Sequence, residues 1–192
     1  MGTIKKITAY LLRKGLGVLR INVFVTNSTA SLNQIKISDD FSLRPIDDQV
    51  LHEISLIRGK KKYNQLKKVY DTGGYGISFF KAGELAAYGW IGLNREKKSR
   101  RMFTSFAIPP NSGHIFDCYT VEKYRGQKLY QAVVYHLVQW AKDQQAGKVY
   151  IDTVEGNNSA YKGVINLGFE YLSLHTSVLL FNKTIFEYDH KR

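Results

Sequence analysis

The stretch that decides the fold is YTVEKYRGQKLY at residues 119–130, in which a predicted strand runs through a tight turn into a helix. The first turn of a helix leaves backbone N–H groups without partners, and the positive end of the helix dipole lies beside them, so such a turn can bind a phosphate. Arg125 and Lys128 add two positive charges there. Every strand-to-helix turn has free N–H groups, so a purely structural turn remains the alternative.

A second pattern follows about thirty residues later, past a predicted helix and strand. It consists of EGNNS at 155–159, a short helix, and LGF at 167–169. Together the two stretches resemble the GNAT (GCN5-related N-acetyltransferase) superfamily. The resemblance covers residues 113–182 well and 41–94 passably. It implies an α/β fold of the α+β type, with a mixed, mostly antiparallel central sheet, one splayed parallel strand pair and helices on both faces.

Hydrophobic periodicity and turn residues predict the elements on either side. Predicted strands cover 41–45, 76–83, 84–94, 101–108, 114–121 and 148–155, with two more up to residue 185. Predicted helices cover two short stretches from 47 to about 70, then 127–145 and 159–166. The strand, helix, strand order after residue 113 predicts one parallel pair. Residues 1–38, with a helix at 7–14 and a strand at 19–25, are expected to be an N-terminal extension before a GNAT domain at 39–190.

The resemblance implies acetyl-CoA as the acyl donor and assigns its contacts position by position. Backbone groups of Cys118, Tyr119 and Thr120 would pair with the pantetheine arm, and N–H groups from Tyr119 to Val121 would polarise the thioester carbonyl. The remaining contacts would come from the pyrophosphate loop and the asparagine turn: Arg125, Gly126, Gln127, Lys128, Leu129, Tyr130, Gln131, Asn157 and Ser159.

Three positions depart from the family pattern. Lys128 and Tyr130 stand where glycine, and glycine or alanine, are usual, and glycine there lets the backbone approach a phosphate closely. The tyrosine that often protonates the leaving thiolate is replaced by Val164. Tyr161, one helical turn earlier, and solvent are the two substitute acids, and for Tyr161 a packing role is the alternative.

The reaction needs a base that takes a proton from the ammonium group of the acceptor. Family members often carry it where His114 stands, and histidine titrates near neutral pH. Asp152, midway along the next strand, is the second candidate, and Asp117 and Glu155 are weaker ones. For each, an ordinary hydrogen-bonded residue is the alternative.

A strict two-residue period on the strand before the turn places His114, Phe116, Cys118 and Thr120 on one face. We expect Cys118 to be a small buried hydrophobe rather than an acyl-carrying nucleophile, since no histidine stands in an evident partner position.

Length, charge and amino-acid composition exclude several classes of protein. The chain has 192 residues, a net charge of +12 and 44% hydrophobic residues, which excludes a disordered basic tail. The charge is concentrated in residues 1–22, 58–68 and 95–101. With a single cysteine and an apolar start interrupted by Arg13 and Lys14, we expect a cytoplasmic protein. We expect no transmembrane segment, since the run at 171–182 is too short, and no metal, since the histidines are scattered.

The sequence therefore predicts an N-acetyltransferase that moves acetyl from acetyl-CoA to a primary amine by direct attack in a ternary complex. An anionic acceptor such as a nucleotide-linked or other phosphorylated amino sugar fits the basic clusters, and the R-G-x-x-L-Y turn resembles GNAT branches linked to surface-polysaccharide assembly. Peptides, polyamines and ribosomal amines stay open as acceptors, and so does a homodimer. The rival hypotheses are a catalytically degenerate GNAT domain that binds CoA and, less favoured, a basic nucleic-acid-binding module.

Overall fold

A single eight-stranded sheet organises the chain, in the strand order β2-β3-β4-β5-β6-β1-β7-β8. The computed structural model describes residues 16–99, 104, 106–180 and 183–190. The strands are β1 (Leu16–Asn27), β2 (Phe41–Pro45), β3 (Tyr75–Lys81), β4 (Glu84–Asn94), β5 (Ser112–Thr120), β6 (Lys148–Val154), β7 (Glu170–Leu180) and β8 (Lys183–His190). The helices are α1 (Asp48–Arg58), α2 (Lys60–Asp71), α3 (Leu129–Asp143) and α4 (Asn158–Leu167).

The predicted fold class is confirmed. Strands β5 and β6 are parallel, and every other neighbouring pair in the sheet is antiparallel. The parallel pair follows from the crossover through α3, because two consecutive strands can be parallel only when a long connection returns the chain to the same end of the sheet.

Helices cover both faces because neighbouring strand residues point to opposite sides. On β4, Ile91 belongs to the main core cluster with Leu137 of α3, whereas its neighbour Trp90 belongs to a second cluster with Leu51 of α1 and Leu66 of α2. The two apolar faces of β4 thus hold the sheet between the two helical layers. Among the described residues, no helix has both the length and the apolar composition that a bilayer crossing requires.

Strand β1 lies in the interior of the sheet, between β6 and β7, and pairs with both. The side chain of Phe24 is fully buried in the main core, in edge-on contact with the ring of Tyr161 at 5.1 Å between centroids. The strand predicted in the N-terminal segment is confirmed, and it shares one sheet and one core with the rest of the chain.

Two predicted elements differ from the structure. Of the predicted strand at 101–108, the described residues contain only an isolated bridge at Ile108. The predicted helix at 7–14 lies outside the described residues and stays a prediction. Helix α3 begins at Leu129, two residues after the predicted start, because Lys128 has a left-handed backbone with φ +60°. A left-handed residue cannot continue into a right-handed helix.

We expect Phe24→Ala to lower the free energy of unfolding by about 3–5 kcal/mol, because it opens a cavity in the main core. Val18→Ala, on the same strand but 62% exposed, is the matched control and should change it by less than about 1 kcal/mol. Urea denaturation measures both values. Equal, small losses would contradict a structural role of β1 in the core.

Candidate active site

A cavity of about 530 Å³ lies where β5 ends, between the turn that follows it and the first turns of α3 and α4. It is lined by Cys118, Tyr119, Thr120, Tyr124, Arg125, Gly126, Lys128, Leu129, Tyr130, Gln131, Asn157, Ser159, Ala160 and Gly163. The fold therefore brings together the cofactor-contact residues proposed from the sequence, with the exception of Gln127, which is not in the lining. We call this space the first cavity.

Sequence reasoning missed three residues of the first cavity. Tyr124 lies inside the quoted stretch, and its hydroxyl donates a hydrogen bond to Glu84 at 2.9 Å. Ala160 and Gly163 lie on α4, where a Cβ at Gly163 would come within 3.1 Å of the ring of Tyr130. The available signal was the spacing of these two small residues, which puts both on the side of α4 that approaches α3.

The parallel strands part next to the first cavity. Pairing of β5 with β6 stops at Ile115 and Ile151, so that within the described sheet residues 116–120 have a partner strand only on the β4 side. The N–H of Val121 donates to Ala86 of β4 at 2.8 Å. Because N–H directions alternate along a strand, the N–H of Thr120 points to the open edge. Of the N–H groups from Tyr119 to Val121 that were predicted to polarise a carbonyl, that of Val121 is already bonded and is excluded.

A β-bulge lies in β5 close to the point where its pairing with β6 stops. The register between β4 and β5 shifts between Tyr88 and Trp90, and Asp117 takes a left-handed backbone with φ +48°. Gly89 lies opposite the bulge, where a Cβ would stand 2.5 Å from Val133 and 2.8 Å from the sulfur of Cys118. The extra residue and the missing side chain together let the strand bend towards α3.

The bulge also reverses which face each side chain occupies. His114 and Phe116 stack on one face of the sheet, with ring centroids 5.7 Å apart. Cys118 packs against the main core on the other face. The prediction that His114, Phe116, Cys118 and Thr120 all share one face was wrong: the bulge inserts one residue and shifts the alternation by one, so Cys118 and Thr120 lie on the face opposite His114 and Phe116.

The two main base candidates form a pair. His114 is fully buried, and its Nε2 lies 2.7 Å from Oδ1 of Asp152, whose side chain is 23% exposed. The Nδ1 atom of His114 is buried without a hydrogen-bond partner among the described residues. The exposed carboxylate is therefore the member of the pair that a substrate can reach, and the histidine lies behind it. In the described part of the chain, no three histidine, cysteine or acidic side chains group closely enough to hold a metal ion.

The other candidates lie elsewhere. The ring of Tyr161 packs between Phe24 and Tyr171 and does not line the first cavity. Asp117 is paired with Lys62 at 3.3 Å, and Glu155 with Arg20 at 2.8 Å.

Burial disfavours two ionised groups in the first cavity. It raises the pKa of the Cys118 thiol, and the nearby carboxylates of Asp117 and Asp152 raise it further. Burial also raises the pKa of Tyr130 well above its usual value, with smaller contributions from Cys118 and Asp152. The side chains of Cys118 and Tyr130 are therefore neutral at physiological pH, and a thiolate nucleophile at Cys118 is disfavoured.

The turn itself has the backbone of a glycine-rich loop. Gly126 and Lys128 both have left-handed conformations, with φ of +78° and +60°. Lysine is strained there, whereas glycine is not. Lys128 immediately precedes α3, so its charge lies beside the free N–H groups of the helix's first turn.

A family model for the acetyltransferase (GNAT) family matches residues 44–169. The chain belongs to this family. Among solved structures, a GNAT-family acetyltransferase from Colwellia psychrerythraea superposes with a TM-score of 0.62 at 14% identity, covering 97% of this chain and 62% of that one. No curated protein sequence matches the chain.

Two further acetyltransferase structures superpose on the chain. One is a glucosamine N-acetyltransferase region within a fungal multi-domain β-N-acetylglucosaminidase, with a TM-score of 0.61 and 14% identity over 93% of this chain and 23% of that one. The other is the aminoglycoside N-acetyltransferase AAC(6')-Iy in complex with CoA, with a TM-score of 0.54 and 12% identity over 67% of this chain and 91% of that one. The chain spans less than two thirds of the length of the Colwellia and fungal proteins. At these identities the likeness shows the GNAT fold.

The raised pKa of Cys118 predicts slow alkylation. Only the thiolate reacts, so between pH 7 and pH 9 we expect iodoacetamide to modify the folded protein at least tenfold more slowly than the urea-unfolded chain. The rate of the folded protein should still be rising at pH 9. The chain has one cysteine, so mass spectrometry reads the reaction directly. A folded rate equal to the unfolded one would contradict a partly buried, neutral thiol.

The left-handed backbone of Lys128 predicts that Lys128→Gly is more stable than Lys128→Ala by about 1 kcal/mol, since both remove the charge and only glycine relieves the strain. At Lys142, inside the last turn of α3, the order should reverse by about the same amount, because glycine weakens a helix. Urea denaturation of the four variants tests this. The same order at both positions would contradict the assigned conformation of Lys128.

Proposed function

We propose that this protein is an N-acetyltransferase that moves the acetyl group of acetyl-CoA to a primary amine. The observation that carries the proposal is the arrangement around the parting of β5 and β6. A cavity at a strand-to-helix turn lies on the open edge of β5, and a partly exposed carboxylate stands nearby on β6. A cytoplasmic location, expected from the single cysteine, is part of the same proposal.

The described residues fit acetyl-CoA. N–H groups of the first turn of α3, together with Arg125 and Lys128, would hold the pyrophosphate. The open edge of β5 would pair with the amide groups of the pantetheine arm as an added strand. Acetyl-CoA supplies an acetyl group activated as a thioester, and its transfer to an amine forms an amide, releases the thiol of CoA and frees one proton.

Asp152 would take the proton that the acceptor's ammonium group must lose before its nitrogen can attack. The carboxylate is reachable, whereas His114 is fully buried. His114 would act as a positioning residue that holds Asp152 through the 2.7 Å contact. The N–H of Thr120, directed to the open edge, would donate to the thioester carbonyl oxygen. The ring of Tyr161 packs between Phe24 and Tyr171 and does not line the first cavity, so solvent would protonate the leaving thiolate.

We propose an amino sugar as the acceptor. The fungal neighbour is described as a glucosamine N-acetyltransferase region and the AAC(6')-Iy protein as an aminoglycoside N-acetyltransferase, and both act on amines of sugars. The basic residues 58–68 of this chain favour a phosphorylated or nucleotide-linked amino sugar.

A CoA-binding domain without activity is the second candidate. Two observations favour it: the usual tyrosine acid is replaced by buried Val164, and a strained lysine stands at position 128. This candidate predicts the same binding of CoA but no transfer.

The deciding experiment measures a thermal shift with acetyl-CoA and then thiol release with glucosamine, glucosamine 6-phosphate, a uridine-diphosphate-linked amino sugar, spermidine and a lysine peptide. We expect a rise in Tm with acetyl-CoA and turnover with at least one amino sugar. Asp152→Asn should lower kcat by about 100-fold or more with unchanged acetyl-CoA affinity, because it removes the base. His114→Gln should cost less and alter the pH profile of kcat/KM.

Asp143→Asn, at the exposed end of α3, is the matched control and should leave kcat unchanged. The absence of any Tm shift at millimolar acetyl-CoA would overturn the proposal. A shift without turnover on any amine would favour the inactive domain. A loss of less than threefold in Asp152→Asn would remove that residue as the base.

A further inference from the structure

Tyr130, in the first turn of α3, lines the first cavity and has no chemical role in the mechanism proposed above. Its ring packs against the main core and also against Gly163 of α4. A Cβ at Gly163 would stand 3.1 Å from Cδ1 and 3.2 Å from Cε1 of this ring. The missing side chain at position 163 therefore leaves the space that the ring occupies between the two helices.

The hydroxyl of Tyr130 is a hydrogen-bond donor that the protein leaves available. Burial raises its pKa well above the usual value, and the neighbouring side chains of Cys118 on β5 and Asp152 on β6 raise the pKa further. Among the described residues, none forms a hydrogen bond with this hydroxyl. It therefore keeps its proton at physiological pH, and leaving it unpaired after a ligand has excluded water from the cavity would cost free energy.

The other two phenols that line the first cavity are engaged elsewhere. The hydroxyl of Tyr124 donates to Glu84 at 2.9 Å. The ring of Tyr119 packs against the second core cluster and lies under the guanidinium of Arg58, 4.2 Å from the ring centroid. Tyr130 is thus the phenol in the described lining that can serve a bound molecule.

The reacting end of the proposed cofactor would lie beside this hydroxyl. The thioester carbonyl would accept from the N–H of Thr120, and the attacking amine would give its proton to Asp152, so the carbonyl carbon must lie within reach of both. Tyr130 lies near the same carboxylate and near Cys118, two residues before Thr120. The sulfur bonded to that carbon is therefore an acceptor that the Tyr130 hydroxyl can meet.

We propose that the Tyr130 hydroxyl donates a hydrogen bond to the thioester sulfur and thereby stabilises the thiolate that leaves. This inference rests on the proposed acetyl transfer and adds a catalytic residue to it. As the amine nitrogen bonds to the carbonyl carbon, the C–S bond breaks and its electron pair goes to sulfur. Asp152 takes the ammonium proton, Tyr130 keeps its own, and solvent protonates the thiolate. A hydrogen bond to a charged acceptor is stronger than one to a neutral acceptor, so the contact strengthens in the transition state.

The first test compares, by calorimetric titration, the affinities for CoA and for desulfo-CoA, which lacks the thiol. A hydrogen bond to the thiolate lowers the pKa of the bound thiol, so with the unmodified chain the affinity ratio should rise at least about threefold from pH 7 to pH 9. With Tyr130→Phe, which removes only the hydroxyl, the ratio should stay constant within about 1.5-fold.

The comparison isolates the hydroxyl because every other titratable group around it is the same in both proteins. Those groups come from β5, from the turn before α3 and from β6, whereas the α4 residues in the lining carry no charge. They are Cys118, Tyr119, Tyr124, Arg125, Lys128 and Asp152.

The second test uses the amino sugar that gives the fastest turnover. Tyr130→Phe should lower kcat at least about tenfold and change the KM for acetyl-CoA by less than about twofold, because the lost contact is strong only in the transition state. Tyr135→Phe makes the same change on the same helix, outside the first cavity, and should match the unmodified chain in both tests. A lower Tm with unchanged kcat and an unchanged affinity ratio would assign Tyr130 to packing and overturn the inference.

The two tests separate this inference from the proposed transfer. If transfer proceeds and Tyr130→Phe matches the unmodified chain in both tests, the inference fails and the transfer stands. A fall in kcat with an unchanged affinity ratio would place the hydroxyl on another atom and also overturn the inference. If the ratio responds as expected but no amine is acetylated, the hydrogen bond stands and the transfer fails. A chain that does not bind CoA overturns both.

Discussion

The parting of β5 from β6 after Ile115 and Ile151 is the constraint on which the rest of the site depends. A strand edge without a partner strand exposes N–H and C=O groups that must bond to something else. Here that edge lies beside the N-terminus of α3. The same site therefore offers main-chain donors, which would suit the pantetheine arm of the proposed cofactor, and a positive potential, which would suit its phosphates. The bulge at Asp117 fixes the direction of the parting, and Gly89 leaves the room that the bent strand needs.

Burial on both sides of the sheet keeps this opening from collapsing. The first cavity has α3 and α4 as its walls, and both helices are anchored in the main core, where Val133 of α3 and Val164 of α4 are fully buried. Strand β1 completes that core with Phe24 and occupies the sheet position next to β6. Asp152 directly follows the last β6 residue that pairs with β5 and is itself paired with Val23 of β1, so its backbone position is fixed by the sheet.

Positive and negative side chains occupy different parts of the site. The +12 charge suggests an affinity for anions in general, yet the residues nearest the proposed chemistry are the carboxylates of Asp152 and Asp117. Positive charge is found at the turn, on Arg125 and Lys128, and along α2. The proposed reaction would use this distribution, with positive charge around the cofactor's phosphates and carboxylates near the acceptor's ammonium group.

The sequence by itself determined most of the element order and the parallel pair, because hydrophobic periodicity and turn residues are local signals. Its resemblance to the GNAT family implied most of the lining of the first cavity. Only the tertiary structure decided the rest. The bulge, which moved Cys118 to the face opposite His114, depends on the missing side chain of Gly89 on another strand. The interior position of β1 and the pairing of His114 with Asp152 join residues that are far apart in the chain. Such contacts are set by which surfaces can be buried together, and no local pattern encodes that choice.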